Sequence, residues 1–392
     1  EEIEELDIVP AQIKVLKHVQ LKYGPCDCEG FVHKELPEVK TAVKPARIIP
    51  QSIVSPGLLA YTITAKFADS IPFYRQSNMF KRIQVHISRA TLCNWSLLTA
   101  EKCNCLLDLM WEEIRGGPLI QMDETSIQVL HEDGRNPSAK SWMWVIVGYP
   151  EENRPIIIFD YHPTRSKTVP VQLLEGYTGY LQTDGYAGYT EAGNKQEIIH
   201  VGCFAHARRY FYDTYKLDKK SKTASKGLAF IKKLYEIETE LRYKQISPKE
   251  FIQERKEKAD PVLEQFHDWL IEKSKYITPE SKAGKAVEYT LKEWPKLVRY
   301  LEAHFLTPDN NRVEQAIRPF AVGRKNWLFA NTSRGAHSSA CLYSLVETAK
   351  ANNLEPYQYL RFLFTKLPLA SSKEEVKQLL PTKLRPEDLL AV

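Results

Sequence analysis

A chain of 392 residues is too long for one minimal domain, so two or three modules are expected. Its 43% apolar and 26% charged content is that of an ordinary soluble globular protein. No apolar run nears the roughly 18 residues of a membrane span, and no secretory signal opens the chain, which argues against the membrane and exported classes. The first residue is Glu1 rather than Met, so further natural sequence is expected ahead of it. Seven cysteines, an odd number without regular spacing, fit a reduced cytoplasmic setting better than a disulfide scaffold.

Residues 1–50 read as short strands and loops. Ile8-Val-Pro, Gln12-Ile-Lys-Val-Leu and His18-Val-Gln-Leu alternate weakly, Cys26-Asp-Cys28 closes the run, and Pro37, Pro45 and Pro50 punctuate a linker. The net charge of +5 is unevenly spread: from Lys40 to Cys105, nine Lys and Arg face two acids, Asp69 and Glu101, a local net of +7. Such a footprint suits a polyanion, and equally a solvated charged surface.

Residues 51–115 read as helical. Leu58, Leu59, Ile63 and Phe67 fall at helical spacing, and Ile71-Pro72 opens a second helix through Tyr74 and Met79. Ser88 is a natural N-cap for a third, in which Ala90, Leu92 and Trp95 interleave with exposed Arg89, Thr91 and Asn94. Short helix, tight turn and capped helix make a helix-turn-helix pattern for DNA binding, with a plain helical bundle as the alternative.

Residues 116–215 change character. Apolar β-rich runs at 119–130, 141–149 and 155–161 are separated by Glu132-Asp-Gly134 and Pro150-Glu-Glu-Asn153. A helix over 168–177, a strand over 179–183, a helix near 186–192, a strand over 197–203 and a helix from Phe204 follow. In the order β-β-β-α-β-α-β-α, the first and fourth strands can lie side by side and parallel, because the intervening helix supplies a right-handed crossover. Asp123 on the first strand and Asp184 just past the fourth would then be neighbours. Residues 216–305 show only helical spacing, as in Leu228, Ile231, Leu234, Ile237 and Leu241, and read as an insertion, with Pro295 a candidate kink. Residues 306–366 carry the third acid. Thr307-Pro308 is expected to begin a helix with Asn310, Glu314 and Arg318 on one face; another spans about Ser338 to Ala351, and Pro356 begins a last one. The tail, 367–392, reads as charged, proline-broken and peripheral.

Asp123, Asp184 and Glu314 together suit a cage for two divalent cations roughly 4 Å apart, which activate an attacking oxygen and stabilise a leaving one at a phosphodiester. Mg²⁺ prefers oxygen ligands and keeps several waters, so a few carboxylates suffice. Arg312, Arg318, Arg324, Lys325 and Arg334 supply cationic groups for phosphate nearby in sequence. His206, Arg208 and Arg209, at the start of the helix after the fifth strand, could also meet phosphate. Cys203 and His206 look like half a metal site, against the plainer reading of a packed Cys and an orienting His. Trp327 could stack on a base or fill the core.

Longer strings carry a resemblance. Met122-Asp-Glu-Thr, Tyr180-Leu-Gln-Thr-Asp-Gly-Tyr-Ala-Gly-Tyr189, Cys203-Phe-Ala-His-Ala-Arg-Arg-Tyr-Phe211, Asp309-Asn-Asn-Arg-Val-Glu-Gln-Ala-Ile-Arg-Pro, Gly323-Arg-Lys-Asn-Trp-Leu-Phe329 and Leu342-Tyr-Ser-Leu-Val-Glu-Thr-Ala-Lys-Ala-Asn352 resemble the insertion-sequence-66 family of bacterial transposases over nearly the whole chain. The resemblance implies an α/β ribonuclease-H-like core, with a mixed five-stranded sheet and helices on both faces, and a helical insertion before the Glu. It also implies upstream DNA-binding modules and a catalytic DDE triad of Asp123, Asp184 and Glu314 holding two Mg²⁺ or Mn²⁺ ions. The activity implied is cleavage of element ends and their joining to target DNA, in the bacterial cytoplasm at the nucleoid. The expected partners are terminal repeats and target DNA, a second copy of the chain or more, and accessory proteins of the same element.

Family members also carry a small zinc module with two Cys pairs. Cys26 and Cys28 resemble its downstream half in C-x-C spacing, with His18 and His33 as weak substitutes for the rest. Either the other half lies before Glu1 or the zinc site is degenerate. Two other functions stay open: a DNA-binding protein whose catalysis is lost, and a nuclease of the same fold that cuts without joining.

Overall fold

The computed structural model describes residues 3–7, 12–23, 40–151 and 154–391. They fall into two units, Glu1–Ala46 and Arg47–Val392. In the first, β1 (Lys22–Tyr23) pairs antiparallel with β2 (Lys40–Thr41). Cys26, Cys28 and His33, on which the zinc expectation rests, lie outside the described residues.

The second unit opens with three helices. Ser55 caps α1 (Pro56–Phe67) by accepting from the Leu58 amide, α2 (Phe73–Arg82) follows Pro72, and Ser88 caps α3 (Arg89–Arg115) by accepting from Thr91 N at 3.0 Å. Leu92 and Trp95 are buried and Arg89 and Asn94 exposed, but Ala90 is exposed too. The capped helix α3 runs 27 residues to the end of the stretch expected to be helical, because Cys103, Leu106, Met110 and Ile114 continue its buried stripe into the core shared with the sheet. Lys66 of the expected cationic footprint is packed inward: its ammonium lies 4.2 Å from the Phe73 ring centroid, and burial pushes its pKa down to about 8.

The sheet follows the expected order. β3 (Leu119–His131), β4 (Lys140–Glu151) and β5 (Arg154–His162) form an antiparallel meander. α4 (Thr168–Leu173) then crosses over to β6 (Gly179–Gln182), and α5 (Thr190–Gly193) to β7 (Ile198–Val201). β6 lies parallel to β3, with Leu119 opposite Tyr180 and Gln121 opposite Gln182, and β7 lies parallel to β6. The strand order is β5-β4-β3-β6-β7, and a sixth strand without a sequence signal, β8 (Ala330–Thr332), pairs parallel with the far end of β3. α4 stops at Leu173, short of the 177 expected, before a turn with Gly176 at φ +74°.

Beyond α6 (Phe204–Leu217), the helices α7 (Lys222–Tyr243), α8 (Pro248–Ser274) and α9 (Lys282–Leu297) bury Ile231, Leu234, Phe266, Leu270 and Val287 against Phe204 and Phe211 of α6 in a second core. Fully buried Arg255 pairs with Glu238 at 2.9 Å and donates to the carbonyls of Tyr300, Ala303 and Leu306. It thereby fixes the chain that leads back to the sheet.

α10 (Asn311–Trp327) begins later than expected: Asp309 Oδ1 accepts from Asn311 N in a turn, and Pro308 O is taken by Phe204 N at 2.8 Å. α11 (Ser333–Ala351) begins five residues earlier than expected, capped by Thr332. Its Ser344 and Thr348 hydroxyls accept from Phe159 N and Ile157 N, covering the open edge of β5. α12 (Pro356–Lys366) is the last long helix. The following tail is docked rather than peripheral: Leu379, Leu380, Leu384 and Leu389 are buried, and Tyr359 Oη donates to Leu379 O. Its Lys373, Lys377 and Lys383 pair with Glu112 and Glu113 of α3. Among the described residues no helix is long and apolar enough to cross a membrane.

Candidate active site

Two parallel strands and one helix bring the three acids toward one another. Asp123 lies in the middle of β3, opposite Val145 of β4. The β3–β6 register, carried two residues past Gln121 and Gln182, sets Asp123 beside Asp184 where β6 runs out. Asp184 Oδ1 accepts from Tyr186 N at 3.0 Å, an Asx turn that aims the carboxylate off the strand end. Glu314 stands in the first turn of α10.

His206 joins the last two acids: its Nε2 is 3.6 Å from Glu314 Oε1 and 4.0 Å from Asp184 Oδ2. Arg209, one helical turn margin further along α6, meets Glu314 Oε1 at 3.3 Å. Burial is the first cause that lowers the His206 pKa, with Arg209 adding to it and the two carboxylates opposing it. The Asp123 carboxyl is pushed up to about 7, first by burial and then by Glu124, with Asp184 and Glu314 adding to the repulsion.

The donors of Asp123, Asp184 and Glu314 are all hard carboxylate oxygens, a set whose chemistry fits Mg²⁺ or Mn²⁺. Among the described residues no three His, Cys, Asp or Glu side chains are already drawn together at ion-binding distance. Carboxylates repel one another, and here Glu314 leans to Arg209 and His206.

Several side chains that frame the acids escaped the sequence reading. Gln121 and Gln182 precede the two aspartates by two residues each, and Gln121 Nε2 donates to Gln182 Oε1 at 2.7 Å. Gln182 Nε2 also reaches Gly202 O at 3.2 Å and Thr307 O at 2.7 Å, tying both strands to the lead-ins of α6 and α10. The repeated Gln-x-Asp spacing was the available signal. Glu124, beside Asp123, is buried on the other face of β3, where Arg165 and Tyr189 Oη bond it. Arg165 stacks 3.6 Å from the Tyr186 ring centroid, so both tyrosines of the Gly-Tyr-Ala-Gly-Tyr string serve this support. Tyr289 of α9 packs on Gly185, where an added Cβ would stand 2.6 Å from its ring.

The remaining candidates are spread more widely. Arg324, half-buried, donates to Thr125 Oγ1 at 3.1 Å and Ser126 Oγ at 3.4 Å, two and three residues past Asp123. Arg318 and Lys325 are exposed on α10, while the Arg312 guanidinium lies 4.9 Å from the Tyr149 ring centroid. Arg208 is exposed on α6. Arg334 is ion-paired with Glu101 of α3 at 2.6 Å. Arg89, Thr91 and Asn94 sit at the start of α3, where Thr91 Oγ1 shares a hydrogen bond with Ser88 Oγ. Trp327 is half-buried and packs in a T-shaped pair with Phe320 at the margin of the core, 5.4 Å between ring centroids. Cys203 is buried, and its sulfur accepts from Asn310 N; burial pushes the thiol up to about 12, as suits a packed Cys.

A family model described as Transposase IS66 family matches residues 51–338, and one described as IS66 C-terminal element matches residues 344–382. The chain belongs to the IS66 transposase family. Similar proteins of Sinorhizobium fredii include Uncharacterized protein y4qI, 29% identical over 98% of this chain and 71% of the relative. Uncharacterized protein y4jD is 29% identical over 96% and 74%, and Uncharacterized protein y4hP is 27% identical over 91% and 66%. The IS66 match from 51 to 338 takes in α1–α3, the sheet, the helical insertion and α10. The C-terminal match takes in Leu379 and Leu380, which are buried in the core.

Proposed function

We propose that the chain is a metal-dependent DDE transposase with a ribonuclease-H-like core, which cleaves the ends of its insertion sequence and joins them to target DNA. The observation that carries this reading is the convergence of Asp123, Asp184 and Glu314 from two parallel strands and a helix, with His206 between the last two. Two Mg²⁺ or Mn²⁺ ions held by these carboxylates would neutralise the phosphodiester and activate first water and then a 3′-hydroxyl.

The protein's own groups supply position and charge. Gln121, Gln182 and the Glu124–Arg165 pair hold the strand ends rigid. Arg209 and His206 orient Glu314. Arg324, held by two hydroxyls and by no carboxylate among the described residues, is placed for a phosphate beside Asp123. Arg318, Lys325, Arg208 and Arg312 extend the cationic surround, and Arg334 would join it by exchanging Glu101 for phosphate. The α2–α3 pair serves as a helix-turn-helix-type reader of element ends through Arg89, Thr91 and Asn94. Pairing two ends calls for two or more copies of the chain.

Asp123→Ala, Asp184→Ala and Glu314→Ala are each expected to abolish Mg²⁺-dependent joining of element ends while end binding persists in a mobility-shift assay. Joining by purified Asp184→Ala protein would refute the assignment. Nicks without joined products from the wild type would identify a nuclease instead.

A further inference from the structure

We propose that the exposed face of α6 and the turn into α7 form a cationic track along which the DNA backbone leaves the acids. The inference rests on the DNA-processing reading of Asp123, Asp184 and Glu314, because α6 starts at that cluster: His206 and Arg209 touch Glu314.

From there Arg208, Tyr212 and Lys216 follow at intervals of four residues, all exposed and on one face. The Arg208 guanidinium lies 5.6 Å and the Lys216 ammonium 4.9 Å from the Tyr212 ring centroid. The ring aligns both cations along the helix without neutralising either. Lys219, Lys220, Lys222 and Lys226 continue the run, also exposed. Between Phe204 and Lys226, seven Lys and Arg face two acids, Asp213 and Asp218, so this short stretch carries +5, as much as the whole chain.

Charge density separates this surface from the rest of the helical insertion, where α8 sets five Lys and Arg against seven Asp and Glu. Among the described residues, none of Arg208, Lys216, Lys219, Lys220, Lys222 and Lys226 is ion-paired with a carboxylate. In the helical insertion Lys232, Arg242, Lys244, Arg255 and Lys258 each pair with a glutamate, and the exposed Lys249, Lys256 and Lys275 stand in an acidic stretch rather than in file. Unpaired cations in file repel one another, and a polyanion relieves that repulsion. The Arg208–Lys216 segment alone spans about 12 Å at a helical rise of 1.5 Å per residue. That matches about three or four phosphates of one strand, at 3.4 Å each along the axis. Contact with phosphate alone makes the track indifferent to sequence.

The test is the salt dependence of binding to a labelled random-sequence duplex, read by fluorescence anisotropy, for wild type, K219Q/K220Q/K222Q and the charge-matched K249Q/K256Q/K275Q on α8 and its C-cap. The track variant should flatten the slope of log K against log salt by about 2.7, at 0.9 per lost phosphate contact. The α8 variant should keep the wild-type slope. An unchanged slope in the track variant, or equal losses in both, overturns the track. Mg²⁺-dependent nicking of element-end DNA by the wild type is scored in parallel. Nicking with no slope change sinks the track alone, whereas a slope change without nicking sinks the catalytic reading and leaves a DNA-binding surface standing.

Discussion

Gln121 Nε2 donates to Gln182 Oε1 at 2.7 Å across the parallel β3–β6 pair, two residues before Asp123 and Asp184. Both glutamines are fully buried, and Gln182 goes on to carbonyls that precede α6 and α10. One amide pair thus sets the register of two acids and the approach of the helix that bears the third. Gln182→Leu strands the Gln121 amide and the Gly202 and Thr307 carbonyls. We expect a loss of about 1–3 kcal/mol in urea denaturation, together with a fall in kcat for end cleavage larger than any change in KM. Unchanged stability and rate would show that the network is dispensable.

The raised Asp123 carboxyl gives a pH signature with a definite sign. Its pKa moves from an ordinary 3.8 to about 7 in the folded protein, so between these values the fold holds a proton that the unfolded chain has released. In the absence of divalent ions, stability contributed by this proton is present at low pH and is lost as pH rises through that window. A bound cation displaces the proton, so Mn²⁺ affinity measured by calorimetry should climb by up to about tenfold per pH unit until pH 7 and then level off. Asp123→Asn should flatten both dependences.

Glu124 is buried beneath the site with Arg165 and Tyr189 as its partners. Burial raises its pKa and those partners pull it back. Glu124→Ala leaves a guanidinium and a phenol unpaired; because Arg165 is one-third exposed, the loss should fall below that of a fully buried pair, at about 2–3 kcal/mol in a thermal melt. Glu124→Gln, which can still bond Tyr189, should recover part of it.

Arg324 is held by neutral hydroxyls, so Arg324→Ala should cost at most about 1 kcal/mol of stability. Its effect should appear on DNA: the salt slope of duplex binding falls by about 1, with little change in sequence preference. A stability loss without any change in slope would assign Arg324 a structural role only.

The docked tail makes its own prediction. Leu380 is fully buried, and Leu380→Ala should destabilise the Arg47–Val392 unit by about 2–5 kcal/mol in a denaturant titration. A free tail would tolerate it without change.

Local pattern was enough for most of the elements and singled out the three acids as candidates. Apolar β-rich runs broken by Glu132-Asp-Gly134 marked the meander, helical spacing marked α7 and α9, and element order alone set β3 beside β6, since a right-handed crossover leaves few other arrangements. What it could not reach was anything decided by a partner distant in sequence. β8 is three residues that become a strand only against β3, and the tail looks polar until its four leucines meet the core. The start of α10 was misplaced because Pro308 O is claimed by Phe204 N from another helix. Sequence determined which residues could carry the chemistry. The tertiary structure decided which of them come near one another, because the Gln121–Gln182 hydrogen bond and the His206–Glu314 contact join residues 61 and 108 positions apart.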